Sequence, residues 1–177
     1  MSTDGSHGAE APRVAELLGA LADRGWTVAA AESLTAGLVA AAIADVPGAS
    51  AHLRGGVVAY ATDVKAELLG VPADLLAHRG PVDAQVALAM ADGVRRSLRA
   101  DVGLATTGVA GPGPADGLPA GTVHVAVVTP QMRETRSLTL GGGRADVRRA
   151  AVVAVIDLAV RCTQAGTGGG RPTLEGA

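Results

Sequence analysis

Apolar residues recur at helical spacing in some segments of this chain and run unbroken in others. Val14, Leu17, Leu18 and Leu21 follow the i, i+3, i+4, i+7 rule, so an amphipathic helix is expected from Pro12 to about Arg24, stopped at Gly25. Trp26 to Ala31 is a continuous apolar run and reads as a buried strand, and Leu38 to Ala44 reads as a helix ended before Pro47-Gly48. Gly55-Gly56 opens a second strand, Val57 to Tyr60. Asp63 is a fair N-cap for a short helix that carries Lys65, Leu68 and Leu69 and closes at Gly70. Pro72 to His78 reads as a helical turn or two. Asp83 caps a long helix, Ala84 to about Arg99, with Val86, Met90, Val94 and Leu98 on one side. Val102 to Thr106 is a strand, Gly108 to Gly121 a Gly/Pro-rich loop and Thr122 to Val128 a strand. Thr135 to Leu140 alternates as an antiparallel neighbour or edge strand does, and Arg144 to about Arg161 is the closing helix.

Helices and strands alternate early and a strand pair sits late. That order predicts an α/β fold, a three-layer α/β/α sandwich with a mostly parallel, mixed sheet. One folded domain is expected over residues 12–162. Residues 1–11 are polar and Gly-rich and read as a mobile tail, and residues 163–177 read as a disordered Gly-rich tail.

Composition narrows the function. With no Phe, one Trp and one Tyr, the chain is poorly equipped to stack bases, and a net charge of −2 offers no basic footprint for nucleic acid. The single Cys162 excludes an internal disulfide and suits a reducing compartment. No signal-peptide pattern opens the chain and no apolar run reaches membrane-spanning length. The expected setting is cytoplasmic, without a membrane partner. His7, His52, His78 and His124 are scattered outside any metal-binding spacing, so no metal is expected.

Three segments follow expected strands: Glu32 to Gly37, Tyr60 to Lys65, and Thr106 to Pro114. In open α/β sheets, ligands bind beyond the carboxyl ends of the strands, so these three should converge. Ser33 stands between a strand and a helix, where backbone N–H groups favour developing negative charge; alone, it would more often be a plain N-cap. Lys65 is the chain's only lysine; the other fourteen of its 15 Lys and Arg residues are arginine. Arginine cannot give up its proton, whereas a desolvated lysine can, so Lys65 is the candidate base. By itself it would read as a surface helix lysine. Tyr60, the only tyrosine, could relay a proton or hold Lys65, or be a strand-end aromatic with its rim in water. The loop from Thr106 to Pro114 lets backbone approach a ligand, but it is neither a Walker loop nor a dinucleotide fingerprint.

Ala-Glu-Ser33-Leu-Thr-Ala-Gly, Gly-Gly-Val-Val-Ala-Tyr60 with Lys65 following, Thr-Gly-Val-Ala-Gly-Pro, and Pro-Ala-Gly-Thr-Val-His-Val-Ala occur in that order. Together they resemble the C-terminal domain of CinA proteins, which also occurs alone as PncC, the nicotinamide-nucleotide amidohydrolase. The likeness covers roughly Val14 to Ala159. It implies hydrolysis of nicotinamide mononucleotide to nicotinic acid mononucleotide and ammonia, without a cofactor. It implies Ser33, Lys65 and Tyr60 as the catalytic set and a homo-oligomer, a dimer or larger, with a small-molecule substrate. Substrate contacts are expected from Leu34, Thr35, Ala36, Gly37, Thr107, Gly108 and Gly111. The N–H groups around Leu34 and Thr35, at the start of the second helix, would receive the oxyanion, Glu32 would bond nearby backbone, and Arg144 or Arg148 would meet the phosphate. The chain departs from many relatives at Ala36, where they carry a second Gly, and in the loop after Gly111-Pro112. Two other readings stand beside this one. One is a non-catalytic competence or damage-inducible interaction protein. The other is a short-chain dehydrogenase, which needs Tyr-x-x-x-Lys on one helix.

Overall fold

The computed structural model describes residues 10–165. The expected tails lie largely outside the described residues. The elements in chain order are α1 (Ala11–Ala22), β1 (Val28–Glu32), α2 (Leu38–Ala44), β2 (Leu53–Val58), α3 (Thr62–Leu69), α4 (Ala73–Arg79), α5 (Ala84–Ser97), β3 (Val102–Gly108), β4 (Thr122–Val128), β5 (Arg133–Thr139) and α6 (Arg144–Gln164). The strands form one sheet in the order β2-β1-β3-β4-β5. β1 pairs parallel with both β2 and β3, and the last two pairings are antiparallel, so β4 alone runs against the other four strands. This is the expected three-layer α/β/α sandwich with a mixed sheet.

Strand periodicity builds the layers. In β1, Val28 and Ala30 face the helix layer of α1, α2 and α6, while Ala29 and Ala31 face that of α3 and α5. The first face is filled by larger side chains, among them Leu17, Leu21, Ile43, Leu104 and Ile156. The second is lined by Ala29, Ala31, Ala105 and Ala126, and small side chains there let α5 lie close to the sheet. A β-carbon built on Gly103 of β3 would stand 1.9 Å from the Ala91 carbonyl oxygen of α5, so that approach requires glycine.

Several expected boundaries are corrected. β2 begins at Leu53 and ends at Val58, so Gly55 and Gly56 lie inside the strand instead of opening it. Gly55 sits at a register shift between β1 and β2, with φ of +140°. Tyr60 therefore falls past the strand end. Asp63 is not the N-cap of α3; it lies in the first turn, where its carboxylate accepts the Val64 N–H. The closing helix extends to Gln164, so Thr163, expected in the tail, is buried, with its hydroxyl donating to the Ala159 and Val160 carbonyls.

Candidate active site

β1, β2 and β3 run parallel, so their carboxyl ends share one edge of the sheet. Pairing continues one step beyond the strands. The Ser33 N–H donates to the Thr106 carbonyl at 3.0 Å, and the Ala59 N–H donates to the Glu32 carbonyl at 2.8 Å. Ser33 is thereby anchored between the two neighbouring strand ends.

Ser33 is not a helix cap. α2 starts at Leu38, with Gly37 as its N-cap in the left-handed region at φ +98°. The buried Glu32 carboxylate accepts the N–H groups of Gly37, Val39 and Ala40 at 2.9–3.0 Å. A negative charge is thus placed where the helix leaves donors unpaired. The helix N-terminus is closed to any ligand, which corrects the expectation that an oxyanion would sit on α2 itself, and the serine hydroxyl is released from capping.

That hydroxyl meets Lys65. Lys65 lies on α3, is 1% exposed, and points its amine back to the sheet edge. Its Nζ is 3.2 Å from Ser33 Oγ, 2.9 Å from the Ala59 carbonyl and 3.2 Å from the Tyr60 carbonyl. Carbonyls only accept. An uncharged amine satisfies them with its two N–H groups and keeps a lone pair for the serine proton. Burial lowers the Lys65 pKa from its ordinary 10.5, and the charge of Asp116 opposes that shift.

The turn after Ser33 carries candidate anion donors. The Ala36 N–H closes it on the Ser33 carbonyl, and Ala36 takes φ of +50°, a left-handed conformation that favours glycine. Among the described residues the N–H groups of Leu34 and Thr35 have no protein acceptor. Thr35 is fully buried, and its hydroxyl pairs with that of Thr106 at 2.7 Å. Arg148 of α6 clamps the same turn from outside, donating from Nε to the Leu34 carbonyl and from Nη2 to the Thr35 carbonyl, both at 2.9 Å. Of the two arginines expected near a phosphate, Arg144 lines the cleft over Ser33 and Lys65, whereas Arg148 does not and turns its Nε and Nη2 onto backbone.

A cleft of about 250 Å³ opens over Ser33 and Lys65. Leu34, Tyr60, Thr107, Gly108, Gly111 and Arg144 line it, whereas Thr35, Ala36 and Gly37 lie behind its wall. The Thr107 hydroxyl donates to the Pro81 carbonyl at 2.7 Å. Gly108 is a glycine because of β4: a β-carbon there would meet the Thr122 carbonyl oxygen at 2.6 Å. Tyr60 is half exposed at the rim. Its hydroxyl accepts from Arg144 Nη2 at 2.8 Å, and Arg144 Nη1 donates to the Gly111 carbonyl at 2.9 Å. The Tyr60 backbone, not its hydroxyl, holds Lys65. Tyr60 also precedes α3, so the single-helix pairing that a short-chain dehydrogenase needs does not occur.

Asp116 also lines the cleft and was missed by sequence reasoning. The signal available was the Asp-Gly pair in the long loop, a mark of tight turns. Another groove, about 280 Å³ between α1, α2 and α6, is lined by Leu38, Ala42, Val46 and Val152 among others and contains no nucleophile. His124 lies away from the cleft, its Nδ1 2.8 Å from the Ser137 hydroxyl. No helix among the described residues is long and apolar enough to cross a membrane.

The family model described as the CinA C-terminal domain matches residues 11–163. A "CinA-like protein" of Frankia casuarinae is 52% identical over 145 residues, covering 82% of this chain and 34% of its own length. A "putative competence-damage inducible protein" of Desulforamulus reducens is 49% identical over 139 residues, covering 78% and 34%. The chain thus spans about a third of the length of these relatives. Among solved structures, the competence/damage inducible protein CihA of Agrobacterium tumefaciens superposes with a TM-score of 0.83 at 32% identity, covering 93% of this chain and 99% of that one. The competence damage-inducible protein A of Klebsiella pneumoniae gives 0.84 at 31%, covering 92% and 99%.

Proposed function

We propose that this chain, which belongs to the CinA C-terminal domain family, is an amidase that hydrolyses the carboxamide of nicotinamide mononucleotide, with Ser33 as nucleophile and Lys65 as base. The observation that carries this reading is the buried amine 3.2 Å from a serine hydroxyl, held by two carbonyls with no carboxylate paired to it. A lysine in that setting is poised to accept a proton.

Lys65 takes the Ser33 proton as Oγ bonds to the carboxamide carbon. The oxyanion is received by the free N–H group of Leu34 at the cleft wall, and such a donor contributes roughly 3 kcal/mol in serine hydrolases. Collapse breaks the carbon–nitrogen bond, and the departing nitrogen takes the proton from Lys65 and leaves as ammonia. Water then gives a proton to Lys65 and attacks the acyl carbon. The Ser33 ester bond breaks, and Lys65 returns the proton to Ser33. Tyr60 and Arg144 stand at the rim, where the ribose phosphate would extend, and Arg144 retains donors beyond those it uses on Tyr60 and Gly111.

The test is ammonia release from nicotinamide mononucleotide, with free nicotinamide as control. Ser33→Ala and Lys65→Ala should each lower turnover by at least about a thousandfold while the folded signal persists. Lys65→Arg should fail equally, because a guanidinium cannot take a proton at this pH. A working Lys65→Arg enzyme overturns the base assignment. A wild-type protein that releases no ammonia returns the reading to a non-catalytic interaction protein.

A further inference from the structure

We infer that Asp116 is a specificity-determining residue, selecting the positively charged ring of an N-ribosylated pyridinium carboxamide over uncharged amides of the same shape. The inference rests on the amidase reading and says which feature of the substrate the cleft distinguishes.

Asp116 is the one carboxylate lining the cleft; the other charged residues there are Lys65 and Arg144. Among the described residues it makes no ion pair, and no hydrogen bond engages its side chain, so its charge is uncommitted. Its place is set by backbone. Ala115 and Leu118 exchange two hydrogen bonds, Ala115 N–H to the Leu118 carbonyl at 3.1 Å and the reverse at 2.9 Å. Asp116 and Gly117 between them take φ of +52° and +73°, the pattern of a tight type I′ turn. Such a turn holds the carboxylate at the cleft wall instead of leaving it on a loose loop. Asp116 is also near enough to oppose, by its charge, the effect of burial on Lys65.

The substrate chemistry answers this layout. In the mononucleotide the ring nitrogen is quaternary and the ring is cationic, while the phosphate at the other end is anionic. The cleft places a carboxylate near the reacting amine and an arginine at the rim. A neutral ring at that place gains nothing from Asp116, so the carboxylate separates the two classes by charge. The attraction is partly screened because Asp116 faces water, which keeps its expected effect small.

The experiment compares nicotinamide mononucleotide with its 1,4-dihydro form. Both have the same carboxamide, ribose and phosphate, and only the former has a charged ring. The dihydro amide is intrinsically less reactive, so the readout is how the ratio of kcat/KM values changes between wild type and Asp116→Asn. That ratio should fall roughly fivefold in Asp116→Asn, and Asp116→Glu should restore most of it. An unchanged ratio, or equal losses on both substrates, overturns the inference while the amidase reading stands. If wild type releases no ammonia, the amidase reading fails and the charge question passes to binding. Ser33→Ala and Ser33→Ala/Asp116→Asn are then titrated with both mononucleotides. Preference for the cationic form that depends on Asp116 supports the inference, and its absence overturns it.

Discussion

At the scale of single residues, the Ser33 and Lys65 pair proposed as nucleophile and base is set up by neighbours that take over competing tasks. Glu32 caps α2 and frees the serine, and the Ala59 and Tyr60 carbonyls hold the lysine without a countercharge. The sign of the pH dependence follows. Burial lowers the Lys65 pKa, so the neutral form, the one the proposed mechanism requires, grows as pH rises through a value below 10.5. kcat/KM should rise on a single limb within that window, and Asp116→Asn should move the limb still lower, because it removes the charge that favours the ammonium. Between the folded value and 10.5 the unfolded chain binds the extra proton, so stability should climb with pH across the same window. The contribution is complete above 10.5 and is lost as pH falls through the folded value. Denaturant titrations at a series of pH values, with Lys65→Met as comparison, would read it; an identical pH profile in Lys65→Met would refute a lowered lysine. Lys65 was legible because it is the only lysine. The role of Glu32 was only half legible: bonding to nearby backbone was expected, but the donors to its carboxylate proved to be N–H groups five to eight positions ahead, on a helix start that the sequence does not mark with a polar cap.

At the scale of elements, close packing fixes how the sheet end meets α5. Gly103 and the alanines of β1, β3 and β4 form a shallow face, and α5 descends onto it. Gly103→Ala would drive a methyl into the Ala91 carbonyl and should cost roughly 3 kcal/mol, read as a lowered denaturant midpoint. An unaffected midpoint would mean that α5 can move away freely. The same economy explains why β2 was misjudged from sequence. Gly55 and Gly56 look like strand breakers, yet a β-carbon on Gly56 would stand 3.0 Å from that of Ala40, so Gly56 serves strand–helix contact, while Gly55 takes φ of +140° at the register shift.

At the scale of the whole molecule, the site is assembled from segments far apart in the chain. Arg148 reaches from the final helix to a turn more than a hundred residues earlier, holding the Leu34 and Thr35 carbonyls and so the turn that presents the Leu34 N–H to the cleft. Arg148→Ala should lower kcat by roughly 10–100-fold while KM for the mononucleotide stays near its original value. A raised KM with kcat intact would return Arg148 to phosphate binding. From sequence, Arg144 and Arg148 stand alike near the start of the last helix, and either could meet a phosphate. The fold separates them: the Leu34 and Thr35 carbonyls take up Nε and Nη2 of Arg148, and Arg144 alone lines the cleft.

Local patterning alone determined the layers, the helix faces and the convergence of three strand-end segments, because periodicity and chain direction are properties of neighbouring residues. It also singled out Ser33 and Lys65 by residue type and position. The tertiary structure alone decided which polar groups are already spent: Glu32 on α2, Arg148 on the turn, the Tyr60 hydroxyl on Arg144, and Asp116 left free in the cleft. Those outcomes depend on which side chains arrive together after the chain has folded: the Tyr60–Arg144 and Arg148 pairings join residues 84 to 114 positions apart, and even the local Glu32 bonds need the turn between β1 and α2 to bring the helix start back to the carboxylate.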